Sequence, residues 1–353
     1  MDPTKLVTPH HSPDGQPVAP AAPGVDLNTL GLPELYAALV KTGLVRRLLE
    51  IARDEDLGSE ESPWHGRARL SQGQSWGGDI TTAACVDPAR VTRARLEMRV
   101  GGVVAGLAAM ADLLDVFAPG CTFEPAAVDG QRVEEGAVLG VVSGPLDEVL
   151  ELERTLLNLL SRLCGVATQT AKYREAMGEG VRAKLYDTRK TTPGLRVLEK
   201  YAVRCGGGYC HRMGLYDAVL IKDNHIAGVS ASATELPGVV QRAVEKAREL
   251  ARGGGHYPPA FIEVEVDTLE QLRALLTLPR GVVDIVLLDN MGPEKLREAV
   301  AVRDRMTPWL QLESSGGVTL ATIREIAATG VERIAVGALT HGAVGLDVGL
   351  DIG

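Results

Sequence analysis

After Pro145 the chain alternates short apolar runs with amphipathic stretches of helical period, and this rhythm limits the fold more than any other feature. Six runs read as strands: Lys184–Asp187, Ala218–Lys222, Phe261–Val266, Asp284–Leu288, Leu310–Glu313 and Arg333–Val336. Helical patterns at Leu236–Ala251, Leu269–Leu276, Pro293–Arg305 and Leu320–Ala328 separate the later ones. Successive strand–helix units imply parallel strands joined by crossover helices. Such a sheet can stay open and doubly wound or close into a barrel. The polar residues favour the barrel, because they gather just after each strand, where a (β/α) barrel builds its site.

The chain ahead of this rhythm is of another kind. Residues 1–25 carry six prolines among small and polar residues and read as a disordered tail. Residues 26–145 mix a helical pattern over Leu35–Ile51, a short strand at Leu96–Val100, a helix over Val104–Val116 and a strand at Ala137–Ser143. Asp129-Gly130 and Glu135-Gly136 punctuate this stretch as turns. Helices with irregularly spaced strands suggest an α+β domain. Residues 146–340 form the barrel unit, entered through helices over Leu146–Leu163 and Thr168–Met177. Residues 341–353 are expected to return to the N-terminal domain.

The strand ends give a chemical inventory. Arg189 and Lys190 follow the first strand, with His211 and Arg212 in the loop beyond. Lys222, Asp223, Asn224 and His225 follow the second. Glu263 and Glu265 end the third, and Asp289 and Asn290 the fourth. Ser314-Ser315-Gly316-Gly317 follows the fifth, and Gly337 the sixth. Two arginines, two lysines and two histidines thus fall within under forty residues of a chain whose net charge is −9. An acidic protein does not gather anionic ligands by its average field, so the fold must hold these cations as a local pocket. A Gly-rich turn entering a helix presents free backbone N–H groups, which suits phosphate at Ser315, Gly316, Gly317 and Gly337. Arginine forks match carboxylates and phosphates. Glu265 and Asp289 could hold Mg²⁺ or ribose hydroxyls, or simply pair with lysines.

Other classes fit less well. The acidic balance and the lack of a basic stripe with aromatics argue against nucleic acid. No apolar run of about 18 residues spans a membrane. Five scattered cysteines without a CxxC pair read as free thiols in a reducing cytosol. Cys205, Cys210 and His211 lack the second ligand pair that zinc needs. Lys222 could be a Schiff-base lysine, as in barrel aldolases, but it sits among many cations.

These residues resemble the quinolinate phosphoribosyltransferases, or carboxylating nicotinate-nucleotide pyrophosphorylases. Glu153-Arg-Thr-Leu-Leu-Asn158, Asp187-Thr-Arg-Lys-Thr191, Gly206-Gly-Gly208, His211-Arg212, Ile221-Lys-Asp-Asn-His225, Glu263-Val-Glu265, Leu287-Leu-Asp-Asn290 and Ser315-Gly-Gly317 occur in the family's order. The likeness covers roughly residues 27–350. It implies an N-terminal α/β sandwich domain plus an incomplete, six-stranded-type α/β barrel. It also implies the reaction of quinolinate with phosphoribosyl pyrophosphate (PRPP) to give nicotinate mononucleotide, pyrophosphate and CO2, with Mg²⁺, in de novo NAD biosynthesis. By matching position, Arg154, Arg189, His211, Arg212 and Lys222 would contact the quinolinate carboxylates, with Arg154 supplied across the interface of a homodimer or of a hexamer built from such dimers. Lys190 and Lys222 would reach the pyrophosphate. Glu265 and Asp289 would hold ribose hydroxyls and metal, and Ser315, Gly316, Gly317 and Gly337 the 5′-phosphate. A phosphoribosyltransferase for another planar acid, or a non-catalytic pyridine-binding relative, is the alternative.

Overall fold

The computed structural model describes residues 26–58, 78–227, 232–252 and 258–353. The proline-rich tail and the Gly253-Gly-Gly255 loop lie outside them. The first part of the chain contributes helices α1 (Leu32–Val40), α2 (Leu44–Leu57), α3 (Ile80–Cys85) and α4 (Met110–Phe117). Its strands are β1 (Val91–Met98), β2 (Gly102–Val103), β3 (Thr122–Pro125), β4 (Arg132–Val133) and β5 (Val138–Pro145). A long helix, α5 (Leu146–Met177), leads into the second part. There, β6 (Lys184–Tyr186), α6 (Arg196–Cys205), β7 (Val219–Ile221), α7 (Asp223–Ala227), α8 (Leu236–Arg252) and β8 (Ile262–Val266) come first. They are followed by α9 (Leu269–Leu275), β9 (Ile285–Asp289), α10 (Pro293–Met306), β10 (Gln311–Ser315), α11 (Ile323–Ala327), β11 (Arg333–Ala335), α12 (Ala338–His341) and β12 (Val348–Ile352).

The six strands of the second part form one parallel sheet in the order β6-β11-β10-β9-β8-β7. The edge strands β6 and β7 do not pair with each other, so the barrel is incomplete, as expected. Part of the gap is filled by Tyr209, which bridges to Tyr186 and bonds to the main chain of Leu185 and Asp187. The smaller antiparallel sheet runs β12-β1-β5-β3. The last strand therefore returns to the N-terminal sheet, with Val348–Ile352 registered against Ala94–Met98.

Several expected elements shift for identifiable reasons. The helical pattern over Leu35–Ile51 is two helices, because Gly43 adopts a left-handed φ of 71° that breaks the ladder and starts α2. The helix expected over Val104–Val116 begins only at Met110, after a short 3-10 turn at Leu107–Ala109. Conversely, the two helices expected either side of Cys164-Gly165 are one 32-residue helix. Its middle is fully buried, and the chain at Val344 packs against Gly165 too closely for a side chain. Tertiary packing overrides the local glycine cost, which is about 1 kcal/mol. The strand expected at Leu96–Val100 is longer and earlier, because β1 pairs on both sides with β5 and β12.

Candidate active site

Asp187 ends β6 and is fully buried. Its Oδ1 takes the Lys200 ammonium, itself fully buried on α6, and the His211 N–H at 2.8 Å. Burial pushes the Asp187 carboxyl up, against the pull of Lys200. Lys200 also donates to the His211 carbonyl at 3.2 Å. This pair ties the start of the cationic loop to its far end. From the other side, Asn28 clamps Cys210, accepting its N–H at 2.7 Å and donating to its carbonyl at 3.0 Å. Sequence reasoning missed Asn28, which lies 182 residues away and carries no motif.

The same loop is braced below Arg189 and Lys190. Glu199, fully buried on α6, accepts from the Thr192 N–H and hydroxyl and from Arg162 on α5. Arg162 also donates to the carbonyls of Thr340 and Ala343. Arg162 and His341, neither singled out from the sequence, line an open cleft of about 770 Å³ with Lys190, Thr191, Thr192 and Pro193. A side chain at Gly337 would run into Lys190 and His341, so the glycine lets the Lys190 chain lie across the start of α12. Neither Arg189 nor Arg212 is among the residues lining this cleft.

Arg212 is buried and donates to the Ala218 carbonyl at 3.2 Å, spanning the gap toward β7. Burial and the nearby charge of Arg189 push its pKa down. The buried Arg189 Nε has no hydrogen-bond partner among the described residues. Two guanidinium groups therefore stand close enough to repel each other, and one keeps an unspent donor. Lys222 at the end of β7 reaches Glu265 at 2.6 Å and stays substantially exposed. An exposed, carboxylate-paired lysine lacks the apolar pocket that makes a Schiff-base nucleophile.

Glu265 and Asp289 end β8 and β9. Asp289 accepts from its neighbour Asn290, which adopts a left-handed φ of 52°. The Asn290 N–H bonds to the Ser315 carbonyl, and the Asn290 amide packs against Gly316. Gly316 and Gly317 have φ of 85° and 62°. The phosphate turn differs from the expectation in one respect. Leu320–Ala328 is not one helix from its start, since α11 begins at Ile323. Any cradle at Ser315-Gly316-Gly317 rests on loop N–H groups, not on a helix N-terminus.

Arg154 stands apart on α5, with its side chain 68% exposed and, among the described residues, its ion pair only to Glu153, at 4.0 Å. Among the described residues it makes no ion pair with another candidate site residue of the same chain. His225 is spent on the Lys222 N–H. Cys205 and Cys210 are buried thiols, the latter pushed up to about 12 by burial.

Residues 79–164 match the quinolinate phosphoribosyl transferase N-terminal domain, and residues 166–351 match the C-terminal domain of that family. The chain is 42% identical over 288 residues to the nicotinate-nucleotide pyrophosphorylase [carboxylating] of Mycobacterium leprae, covering 81% of this chain and 95% of the relative. Its fold is similar to the nicotinate-nucleotide pyrophosphorylase of Francisella tularensis, with TM-score 0.70, 30% identity and coverage of 93% and 99% of the two chains. NadC from Streptococcus pyogenes matches with TM-score 0.70 and 34% identity over 86% of this chain and 94% of that one. The chain belongs to the quinolinate phosphoribosyltransferase family.

Proposed function

We infer that the chain transfers the phosphoribosyl group of PRPP to quinolinate with decarboxylation, giving nicotinate mononucleotide, pyrophosphate and CO2. The observation that carries the residue assignment is the buried Arg189 Nε, which has no hydrogen-bond partner among the described residues, beside a buried Arg212 whose pKa is pushed down by burial and by the Arg189 charge. Bringing a dianion between them relieves their repulsion and fills the spare donor. Quinolinate has two carboxylates, which favours it over a planar monoacid.

On this reading Lys190 and Lys222 face the pyrophosphate, and Ser315, Gly316, Gly317 and Gly337 hold the 5′-phosphate. Breaking the ribose–pyrophosphate bond builds positive charge on the ribose carbon, and Glu265 and Asp289 stabilise it while holding the ribose hydroxyls. Lys222 must exchange part of its hold on Glu265 for the substrate, and the 2.6 Å pair keeps it positioned until then. N-ribosylation puts positive charge on the pyridine nitrogen, which stabilises the electron pair left on C2 as the 2-carboxylate departs as CO2, and C2 then takes a proton from solvent to give nicotinate mononucleotide. No protein nucleophile is needed. The arginine pair orients the dianion and spares the reaction the entropy of finding that geometry.

Two strand-end carboxylates suit Mg²⁺, which binds through one or two such groups and keeps waters and substrate phosphates as its other ligands. When bound, it neutralises charge on the leaving pyrophosphate. Exposed Arg154 would complete the site of a second subunit in a homodimer. Free thiols fit a reducing cytosol, and among the described residues no helix is long and apolar enough to cross a membrane. Purified protein given quinolinate, PRPP and Mg²⁺ should release CO2 and a pyridine mononucleotide. Turnover of nicotinate in place of quinolinate would overturn the assignment.

A further inference from the structure

Beneath the arginine pair, the barrel interior holds a layer of buried charge. Glu263 on β8, Glu313 on β10 and Arg333 on β11 point inward, and His211 sits above them. Arg333 Nε bonds to Glu313 at 2.7 Å, and its guanidinium stacks 3.6 Å over the Tyr186 ring. His211 Nε2 lies 3.0 Å from Glu263 Oε2 and 3.3 Å from Glu313 Oε1. Neither contact is aligned as a strict hydrogen bond, since the nitrogen sits between the two carboxylates and those oxygens have no better partner. Among the described residues, these three groups also form a cluster with potential metal-ligand atoms within 4.8 Å of one another.

The tautomer decides between the readings of this cluster. The Arg212 N–H points at His211 Nδ1, 2.8 Å away, so Nδ1 carries a lone pair and Nε2 carries the proton. A metal-bound Nε2 would need the opposite tautomer, with Nδ1 donating. The cluster therefore does not hold a cation through His211. The two glutamates favour a cationic ring and push its pKa up to about 10 against the opposing burial. The Arg212 N–H nevertheless occupies the lone pair that a second ring proton would use, and the geometry is decisive.

Every polar atom of His211 is then committed inside the protein. Its N–H goes to Asp187, its carbonyl to Lys200, Nδ1 to Arg212 and Nε2 to the glutamate pair. Its ring is wedged edge-on against Phe261 and Tyr186, and the residue is 8% exposed. We propose that His211 is a positioning residue that sets the Arg212 main chain and makes no contact with the substrate carboxylates, with Glu263 and Glu313 as its anchor. This corrects the expectation that His211 is itself a carboxylate ligand. It rests on the reading of Arg212 as a quinolinate ligand.

Two experiments test it. In ¹⁵N-histidine-labelled protein, the His211 ring should give the neutral Nε2–H pattern and keep both nitrogen shifts when phthalate, an aromatic dicarboxylate, saturates the site. A shift of either nitrogen into the cationic pattern, or a large change on adding phthalate, would overturn the proposal. In kinetics, Arg212→Ala should raise the quinolinate KM by about 10- to 100-fold, the effect of losing a hydrogen bond to a charged group. His211→Ala should raise it too, and the double variant should be no worse than Arg212→Ala alone. Additive losses would show His211 binding quinolinate on its own account. If Arg212→Ala leaves the quinolinate KM unmoved, the reading of Arg212 fails instead. Glu263→Gln keeps an oxygen for Nε2–H and should preserve the quinolinate KM, whereas Glu263→Leu should raise it. Equal KM values for the two variants would remove Glu263 from the anchor.

Discussion

Glu199→Gln tests how the cationic loop is held. The Glu199 Oε1 accepts from Arg162 Nε at 3.0 Å, Arg162 Nη2 at 2.7 Å and the Thr192 hydroxyl at 2.8 Å, while Oε2 accepts the Thr192 N–H at 3.0 Å. Glutamine best places its carbonyl oxygen at the crowded Oε1 position, which keeps three of these bonds. Its NH2 then faces the Thr192 N–H, donor against donor. The lost charge-assisted bond is worth about 1.5–3 kcal/mol, and a buried orphan donor costs about 1–3 kcal/mol more. Arg162 also loses its only ion-pair partner among the described residues, and breaking a buried pair costs about 3–5 kcal/mol. These figures count the same loss in two ways, so a net cost of about 4 kcal/mol is expected.

For a domain of this size that lowers Tm by roughly 10 °C. Thr192 is two residues from Lys190 and three from Arg189, so kcat/KM should fall about 10- to 100-fold through misplacement of both. Thermal melting and steady-state kinetics with quinolinate and PRPP measure the two effects. Thr192→Ala removes only the hydroxyl bond and should cost about 1 kcal/mol, with a correspondingly smaller kinetic loss. A Glu199→Gln protein that melts within ~2 °C of the parent and keeps its kcat/KM would refute the reasoning, because a buried acceptor of four donors cannot lose one so cheaply.

At the phosphate turn, Gly316→Ala should raise the PRPP KM sharply, because its side chain would strike the Asn290 amide as well as strain a φ of 85°. Gly317→Ala meets open space and should cost only about 1–2 kcal/mol of left-handed strain, so equal effects would refute the interlocked turns. Mixing Arg154→Ala with Lys222→Ala protein should restore activity through hybrid dimers, and subunit exchange without recovery would exclude a shared site. The Glu151 carboxyl is pushed up to about 7 by burial and by Asp147, Asp79 and Glu148. The folded chain thus holds this proton more tightly than the unfolded chain, whose Glu titrates near ~4.3, so stability falls as pH rises from there through 7. Glu151→Gln should raise Tm at pH 8 and leave it unchanged at pH 4, and an equal gain at both would refute the assignment.

The strand–helix rhythm carried the barrel because each parallel strand is a short apolar run bounded by polar residues, and the strand ends then supplied the candidate residues. Helix boundaries were less legible. Gly43 starts a helix at a left-handed φ while Gly165 sits inside one, held against Val344, and no local pattern distinguishes them. The supports of the site were illegible for a different reason. Asn28, Arg162 and Glu199 act by meeting loop atoms at long sequence separation, and no local spacing records that. Asp187 and Lys200 lay in plain view, but as a neutralised buried pair they brace the loop and add no charge to the pocket.

The gap between β6 and β7 explains why so much of the site lies in one stretch of sequence. A closed barrel would carry the chain from β6 through a loop and a helix directly into a paired β7. Here the strands do not pair, and after α6 the chain returns to bond alongside β6 at Tyr209 before β7 begins. That return passes Cys210, His211 and Arg212 through the barrel mouth on main chain, not on a helix. Main chain entering a buried place must have its N–H and C=O groups paired. Asp187, Lys200, Asn28 and the His211 ring do this pairing. The same groups that satisfy the backbone of this return therefore fix the main chain from which Arg212 projects.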